Sequence, residues 1–317
     1  MIPNLEHDPD LMLPAIPSGS LQLDLALGDG GISCGQFVEI SGVESSGKTT
    51  LCQHIVAQAQ QMSRLCVWID VDCTFNPGYA RRCGVEPGDL YYASPAYAEQ
   101  ALDMLETIGG TVSGSVVVLD SIDSLVPRKM LDTPLGLAML EKPEADDHSN
   151  KLLSLALRRL SATIHKNQAT ILFTSRAQTQ RSEAYHQLST DMARLALRFQ
   201  AGLRLRLQEI GRIQRNGHMV GQRTQARILK NKNIASPHPV EFDIIYDQGI
   251  NHSGEVFDLG LQLGLIRKRG EDYTFQDLGL GTGRQQAIET LERRALIQPM
   301  EQVIRHQLLR STFLAET

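Results

Sequence analysis

The chain has 317 residues, 42% of them hydrophobic and 21% charged, so it can bury a sizeable core in one large domain or two unequal ones and is not a disordered polymer. Its net charge of -5 is unevenly spread: residues 1–150 carry 7 basic and 21 acidic side chains, whereas residues 151–232 carry 16 basic and 3 acidic. The apolar runs are too short to span a bilayer, the acidic start Met1–Asp10 is no signal peptide or membrane anchor, and five scattered cysteines without a CxxC pair fit a reducing cytoplasm better than a disulfide or zinc framework.

In chain order, Met1–Pro17 reads as an extended, proline-interrupted tail, and Ser18–Ser20 as the cap of a short helix, Leu21–Leu27. A turn-rich loop, Gly28–Gly35, precedes the strand Gln36–Ser41 and the helix Lys48–Gln61. Further strands are expected at Leu65–Ile69, Ser115–Leu119 and Ala169–Phe173, with helices at Ala98–Ile108 and Lys151–Lys166 between them. Leu152, Leu153, Leu155, Leu157 and Leu160 form the apolar side of the second of these helices. Apolar strands without polar alternation, separated by helices, predict a mainly parallel sheet covered on both faces. Leu203–Leu207, Gln225–Leu229 and Glu241–Tyr246 read as further strands, taken as antiparallel. The texture then changes, so the expected division is a tail (1–16), an α/β core (17–250) and a small α/β C-terminal domain (251–317).

The sharpest motif is Gly42-Val43-Glu44-Ser45-Ser46-Gly47-Lys48-Thr49, which fits GxxxxGK[ST] between a predicted strand and a predicted helix. Its glycines let successive backbone N–H groups curl inward toward phosphate oxygens, and the helix N-terminus adds partial positive charge. Lys48 is the expected partner of the β- and γ-phosphates, and the Thr49 hydroxyl a Mg²⁺ ligand. Asp120 ends an apolar strand at the edge where open parallel sheets bind ligands, and is the second candidate for the metal. Asp70 and Asp72 end another strand in the same way; one is read as the group that orients the attacking water, the other as structural.

These segments, together with Ser18–Gly28, Trp68-Ile69-Asp70, Asn76–Ala80, Val117–Ser121, Lys230-Asn231-Lys232, Gly249-Ile250-Asn251 and Gly254–Gly260, resemble the bacterial RecA recombinase family over nearly the whole chain. The resemblance implies a RecA-like P-loop ATPase core that binds ATP and Mg²⁺ between subunits of a filament on single-stranded DNA and acts in homologous recombination and repair. It assigns the nucleotide to residues 42–50 (Gly42, Glu44, Ser45, Ser46, Gly47, Lys48, Thr49 and Thr50), with Asn76 nearby and Tyr79 stacking on adenine. It assigns Lys230 and Lys232 to the γ-phosphate of a neighbouring subunit, and Phe199 beside Arg198 to the subunit interface. Arg267, Lys268 and Arg269 resemble a patch that captures duplex DNA.

The chain departs from the family pattern at four places. Asp72 stands where the family has a catalytic glutamate, and a carboxylate one methylene shorter implies slow hydrolysis. Arg176 replaces a glutamine that senses the γ-phosphate; a phosphate contact and a salt bridge to the acidic half are equal readings for it. The second DNA loop, Gln178–Met192, lacks its glycine pair and offers Arg181, Tyr185 and His186 as DNA contacts, while the first, Pro134–His148, carries Glu141, Glu144, Asp146 and Asp147, which repel phosphates. The N-terminal tail is short and proline-broken, where the family has a helix that packs on its neighbour.

Arg204 and Arg206, two apart on a strand, read as a basic stripe, with Arg212, Arg215, Arg223 and Arg227 nearby. Two origins fit the basic half: an anionic partner such as nucleic acid, or pairing with the acidic half, within a subunit or across a boundary. Three functions follow: a DNA-dependent ATPase of recombination; a nucleotide-switched accessory subunit, alone or mixed with another RecA, that hydrolyses little; or an ATPase with a protein or RNA partner.

Overall fold

The computed structural model describes residues 14–132, 142–177, 196–215, 217–232 and 238–315, with the side chains of 142–151 and 309–315 excepted. The DNA-contact candidates Arg181, Tyr185 and His186, most of the N-terminal tail, and part of the first-loop segment lie outside this description.

A two-stranded ribbon, β1 (Ala15–Ile16) and β2 (Ile32–Ser33), brackets the helix Leu21–Ala26. Then come β3 (Phe37–Gly42), β4 (Cys66–Asp70), β5 (Leu90–Ala93), β6 (Val116–Asp120) and β7 (Thr170–Arg176). The sheet continues through β8 (Leu203–Arg215), β9 (His218–Asn231), β10 (Val240–Ile245) and β11 (Gly249–Ile250). These nine strands lie in the order β11-β10-β9-β8-β3-β7-β6-β4-β5. The stretch from β5 to β8 is parallel, and β8 to β11 is antiparallel. Leu203–Leu207 therefore pairs in parallel with β3, against the antiparallel expectation, and the direction reverses only at the β8–β9 hairpin.

Alternation along β3 explains why both faces need helices. Val38 and Ile40 pack on one side with Leu51, Ile55 and Val56 of the helix Lys48–Gln61. Phe37 packs on the other side with Leu105 of the helix Ala98–Thr111 and with Leu153, Leu157, Leu160 and Ile164 of the helix Lys142–Asn167. The buried residues of that last helix recur at spacings of three and four, one face of a 3.6-residue period. Leu155 falls off that face and is exposed, a correction to its place in the apolar stripe. The same helix begins at Lys142, so the later part of the acidic first-loop segment has helical backbone.

Beyond Ile250, the helix His252–Gln262 leads into a three-stranded antiparallel sheet, β12 (Ile266–Arg269), β13 (Asp272–Phe275) and β14 (Leu278–Thr282), and two further helices, Arg284–Arg293 and Ile297–Ala315. Val256, Phe257, Ile266, Leu280, Leu291, Met300 and Ile304 form a separate core, to which Leu21 from the start of the chain also belongs. Polar contacts reinforce that junction: Ser20 Oγ donates to Glu255, and Arg305 reaches Asp24 at 2.9 Å. All five cysteines are free, and no helix among the described residues is long and apolar enough to cross a membrane.

Candidate active site

β3 delivers the glycine-rich loop to the C-terminal edge of the parallel strands. Gly47 has φ +94°, and a Cβ there would strike Ile244 of β10, so the backbone must be bare at this point. Gly42 has the same need: a Cβ would run into the Ser46 hydroxyl and the Leu207 carbonyl. Lys48 opens the following helix and folds back over the loop, donating to the carbonyls of Gly42 (3.1 Å) and Val43 (2.8 Å). Burial lowers its pKa, opposed by the charges of Asp120 and Asp123, while Arg176 lowers it further.

β6 brings Asp120 beside this helix. The Thr49 hydroxyl donates to Asp120 Oδ2 at 2.9 Å, and the Thr174 hydroxyl donates to the other carboxylate oxygen. Burial raises the Asp120 pKa; the two threonine hydrogen bonds oppose this, and the charges of Asp72 and Asp70 add to the rise. The bare-backbone cradle, Lys48 and the Thr49–Asp120 pair thus fit a triphosphate with Mg²⁺. No group of three or more His, Cys, Asp or Glu able to hold a metal occurs among the described residues. One carboxylate and one hydroxyl suit Mg²⁺, which ordinarily completes its shell with phosphate oxygens and water.

Asp70 and Asp72 part company. β4 ends at Asp70, which is buried and accepts from the backbone N–H groups of Thr74 and Phe75 and from the Tyr92 hydroxyl. It builds the turn, leaving Asp72 exposed in a bend whose charge is felt at Asp120. Asn76 caps the helix Pro77–Arg82, its side-chain oxygen accepting from Tyr79 N at 3.0 Å. That helix presents Tyr79, whose hydroxyl sits 3.1 Å from Thr50 Oγ1; burial pushes its pKa up to about 12.

A cavity of about 290 Å³ joins these parts, lined by Ser45, Gly47, Lys48, Thr49, Thr50, Tyr79, Gln222, Ile244 and Tyr246. The last three were not anticipated from sequence. They come from β9, from β10 and from the residue just past β10, and the strand order alone brings them here. Arg176 ends β7 directly beside Gly42, is exposed, and donates its backbone N–H to Asp123.

The remaining candidates lie elsewhere. Lys230 pairs with Arg204, which pairs with Glu39, so it stands toward the start of β3, at the edge opposite the phosphate loop. Its ammonium donates to the carbonyls of Arg198 (3.2 Å) and Phe199 (2.8 Å); burial and the nearby Lys232 lower its pKa. Phe199 is 73% exposed, which excludes an ordinary core role. Arg204 is not part of a free basic stripe: it is paired with Glu39, a buried acid of β3 that also accepts from Ser175. Arg206 and Arg227 lie directly opposite one another and are exposed. Arg267, Lys268 and Arg269 are exposed on β12, an edge strand of the small sheet, with Lys268 5.6 Å above the Tyr273 ring.

Residues 2–251 match the family model for the RecA N-terminal domain, and residues 254–309 that for the RecA C-terminal domain. The chain belongs to the RecA family. Protein RecA of Roseiflexus sp. (strain RS-1) is 38% identical over 296 residues, which span 93% of this chain and 82% of that protein. Protein RecA of Chloroflexus aurantiacus (strain ATCC 29364 / DSM 637 / Y-400-fl) is 37% identical over 300 residues, or 94% and 84%. Protein RecA of Nitrobacter winogradskyi is 37% identical over 282 residues, or 89% and 76%. Membership makes this a RecA-type α/β protein of an ATP- and DNA-binding family that serves recombination and DNA repair.

Proposed function

We propose that this chain is a DNA-dependent ATPase that assembles on single-stranded DNA, and on duplex DNA through the Arg267–Arg269 patch, in the cytoplasm, hydrolysing ATP slowly. The observation that supports it most is the phosphate loop with Lys48 folded over it and Thr49 hydrogen-bonded to Asp120. In this reading the loop N–H groups and Lys48 hold the β- and γ-phosphates, and Tyr79 with Tyr246 encloses the base. Thr49 and Asp120 would hold Mg²⁺, which would supply positive charge at the phosphates. Asp72 orients the water in line with the γ-phosphate, and Asp70 holds the turn that carries Asp72. Arg176, beside the loop, contacts the γ-phosphate and opposes its charge during transfer.

Lys230 and Lys232 complete the site of the next subunit. Their place at the far edge of the sheet keeps them from the phosphates of their own chain, and the exposed Phe199 beside them supplies an apolar anchor for the neighbour. ATP then joins two subunits, and hydrolysis releases them. The exposed bend of Asp72 also favours a second reading: an accessory subunit switched by nucleotide that hydrolyses little and works within a filament of another RecA. ATPase rates with and without single-stranded DNA, with negative-stain imaging of the same mixtures, separate the two. Stimulation with filaments supports the first; nucleotide binding with neither supports the second.

A further inference from the structure

His54 stands on the helix Lys48–Gln61, less than two turns beyond Lys48. Burial, and the charge of nearby His252, lower its pKa to about 4, so the ring is neutral near pH 7. Its Nε2 accepts from the backbone N–H of Ile250 at 2.8 Å, which puts the ring proton on Nδ1. β11 is the outermost of the nine strands and pairs with β10 alone. Within it the N–H of Asn251 turns inward to the Asp243 carbonyl, so that of the buried Ile250 points outward, where no strand follows. His54 supplies the acceptor that the sheet edge lacks. The backbone leaves room for the ring: Gly249 has φ +83°, and a Cβ there would strike His54 Nε2.

The turn held in this way also carries Tyr246. Ile245 and Gly249 pair across it, and Tyr246, the first residue past β10, lines the nucleotide cavity together with Tyr79. Lys48 and Thr49, at the phosphate end of the same cavity, open the helix on which His54 sits. One hydrogen bond therefore ties the segment that offers an aromatic wall to the helix that offers the phosphate cradle. We propose that His54 is a positioning residue for nucleotide binding: its Nε2 pins the β10–β11 turn to the phosphate-loop helix and so sets the reach from Tyr246 to the phosphates. This inference rests on the ATP-binding reading of the site.

The test measures ATP binding with Mg²⁺ by the full chain and its variants, each checked for folding by circular dichroism. His54→Asn, whose amide stops short of Ile250, and His54→Leu, which offers no acceptor, should each weaken ATP about three- to tenfold. His54→Gln, whose Oε1 can take the place of Nε2, should bind as wild type. In a Tyr246→Ala background, His54→Asn should cost nothing further, because its effect runs through the ring already removed. Wild-type affinity in His54→Asn and His54→Leu overturns the proposal, as does a Tyr246→Ala variant that binds as wild type. So do losses that multiply in the double variant, or a loss in His54→Gln equal to that in His54→Asn. Failure of both His54→Asn and His54→Leu to fold also overturns it, since the contact would then serve the fold alone. Failure of the wild-type chain to bind ATP would instead overturn the ATP-binding reading beneath it.

Discussion

The Thr49 hydroxyl donates to Asp120 across 2.9 Å, joining the first turn of the phosphate-loop helix to the end of β6, 71 residues away in sequence. The bond spans two elements that a triphosphate–metal complex must also bridge. Asp120→Asn keeps the shape and removes the charge. We expect ATP hydrolysis to fall at least about a hundredfold. Because burial already raises the Asp120 pKa, the neutral variant should melt no lower than wild type near neutral pH. ATPase rates measured across a Mg²⁺ titration check the first effect and thermal unfolding the second.

Of the two acids at the end of β4, Asp72 is the one the proposed mechanism uses to orient water, since Asp70 is committed to Thr74, Phe75 and Tyr92. Asp72→Glu restores one methylene of reach and should raise turnover by about ten- to a hundredfold. Asp70→Asn should instead act through the turn, lowering melting temperature together with activity. Steady-state rates of both variants, measured beside their melting curves, distinguish reach from folding; an unchanged rate in Asp72→Glu defeats the assignment.

The register that puts Lys230 at the opposite edge of the sheet from Gly42 makes the trans lysines open to complementation. Neither Lys48→Ala nor the double variant Lys230→Ala/Lys232→Ala should turn over alone. Mixed, each double-variant subunit that has a Lys48→Ala neighbour regains an intact site, so a fraction of the activity returns. A mixture as inactive as its parts counts against the arrangement.

Tyr246 faces the cavity shared with Tyr79 and is partly exposed. Tyr246→Ala should weaken ATP by about 1–3 kcal/mol, the usual loss for a base stacked on an aromatic ring, and leave inorganic phosphate competition unchanged. Tyr246→Phe should bind as wild type. Tyr79→Phe loses the hydroxyl's contact with Thr50 but keeps the ring, and should show a smaller change than Tyr79→Ala.

Glu255 is buried against Ser20 and Gln22, and burial pushes its pKa up to about 8. The folded chain therefore holds this proton where the unfolded chain, at about 4.3, has released it. Its contribution is complete below the unfolded value and is lost as pH rises toward 8. His54 works in the other direction: burial lowers its pKa to about 4, so stability is lost as pH falls from the ordinary histidine range toward 4. Glu255→Gln should flatten the alkaline fall in melting temperature between pH 6 and 9, by on the order of a few degrees. It should leave the slope below about pH 4 unchanged.

What could be read in advance divides by sequence distance. The phosphate loop, its flanking strand and helix, and Asp120 depend on local pattern, and all lie where that pattern put them. Gln222 carried no such sign: it meets Ser45 across 177 residues, through a strand order that periodicity does not encode. Arg204 pairs out of sight of the sequence for the same reason, since its partner Glu39 lies 165 residues earlier inside a buried strand. Asp70 and Asp72 were inseparable by alternation because the strand stops between them, and only the folded turn shows which acid it uses.

Leu21 sits in the same apolar cluster as Phe257 and Met300, and Ser20 bonds Glu255 from 235 residues away. On the ribosome, at about 5–20 residues per second, that interval lasts on the order of ten to fifty seconds. Throughout it the segment Leu21–Ala26 is a nascent helix without its final resting place. A messenger cut short near codon 250 would release a polypeptide in which Leu23 has its core neighbours while Leu21 stays uncovered.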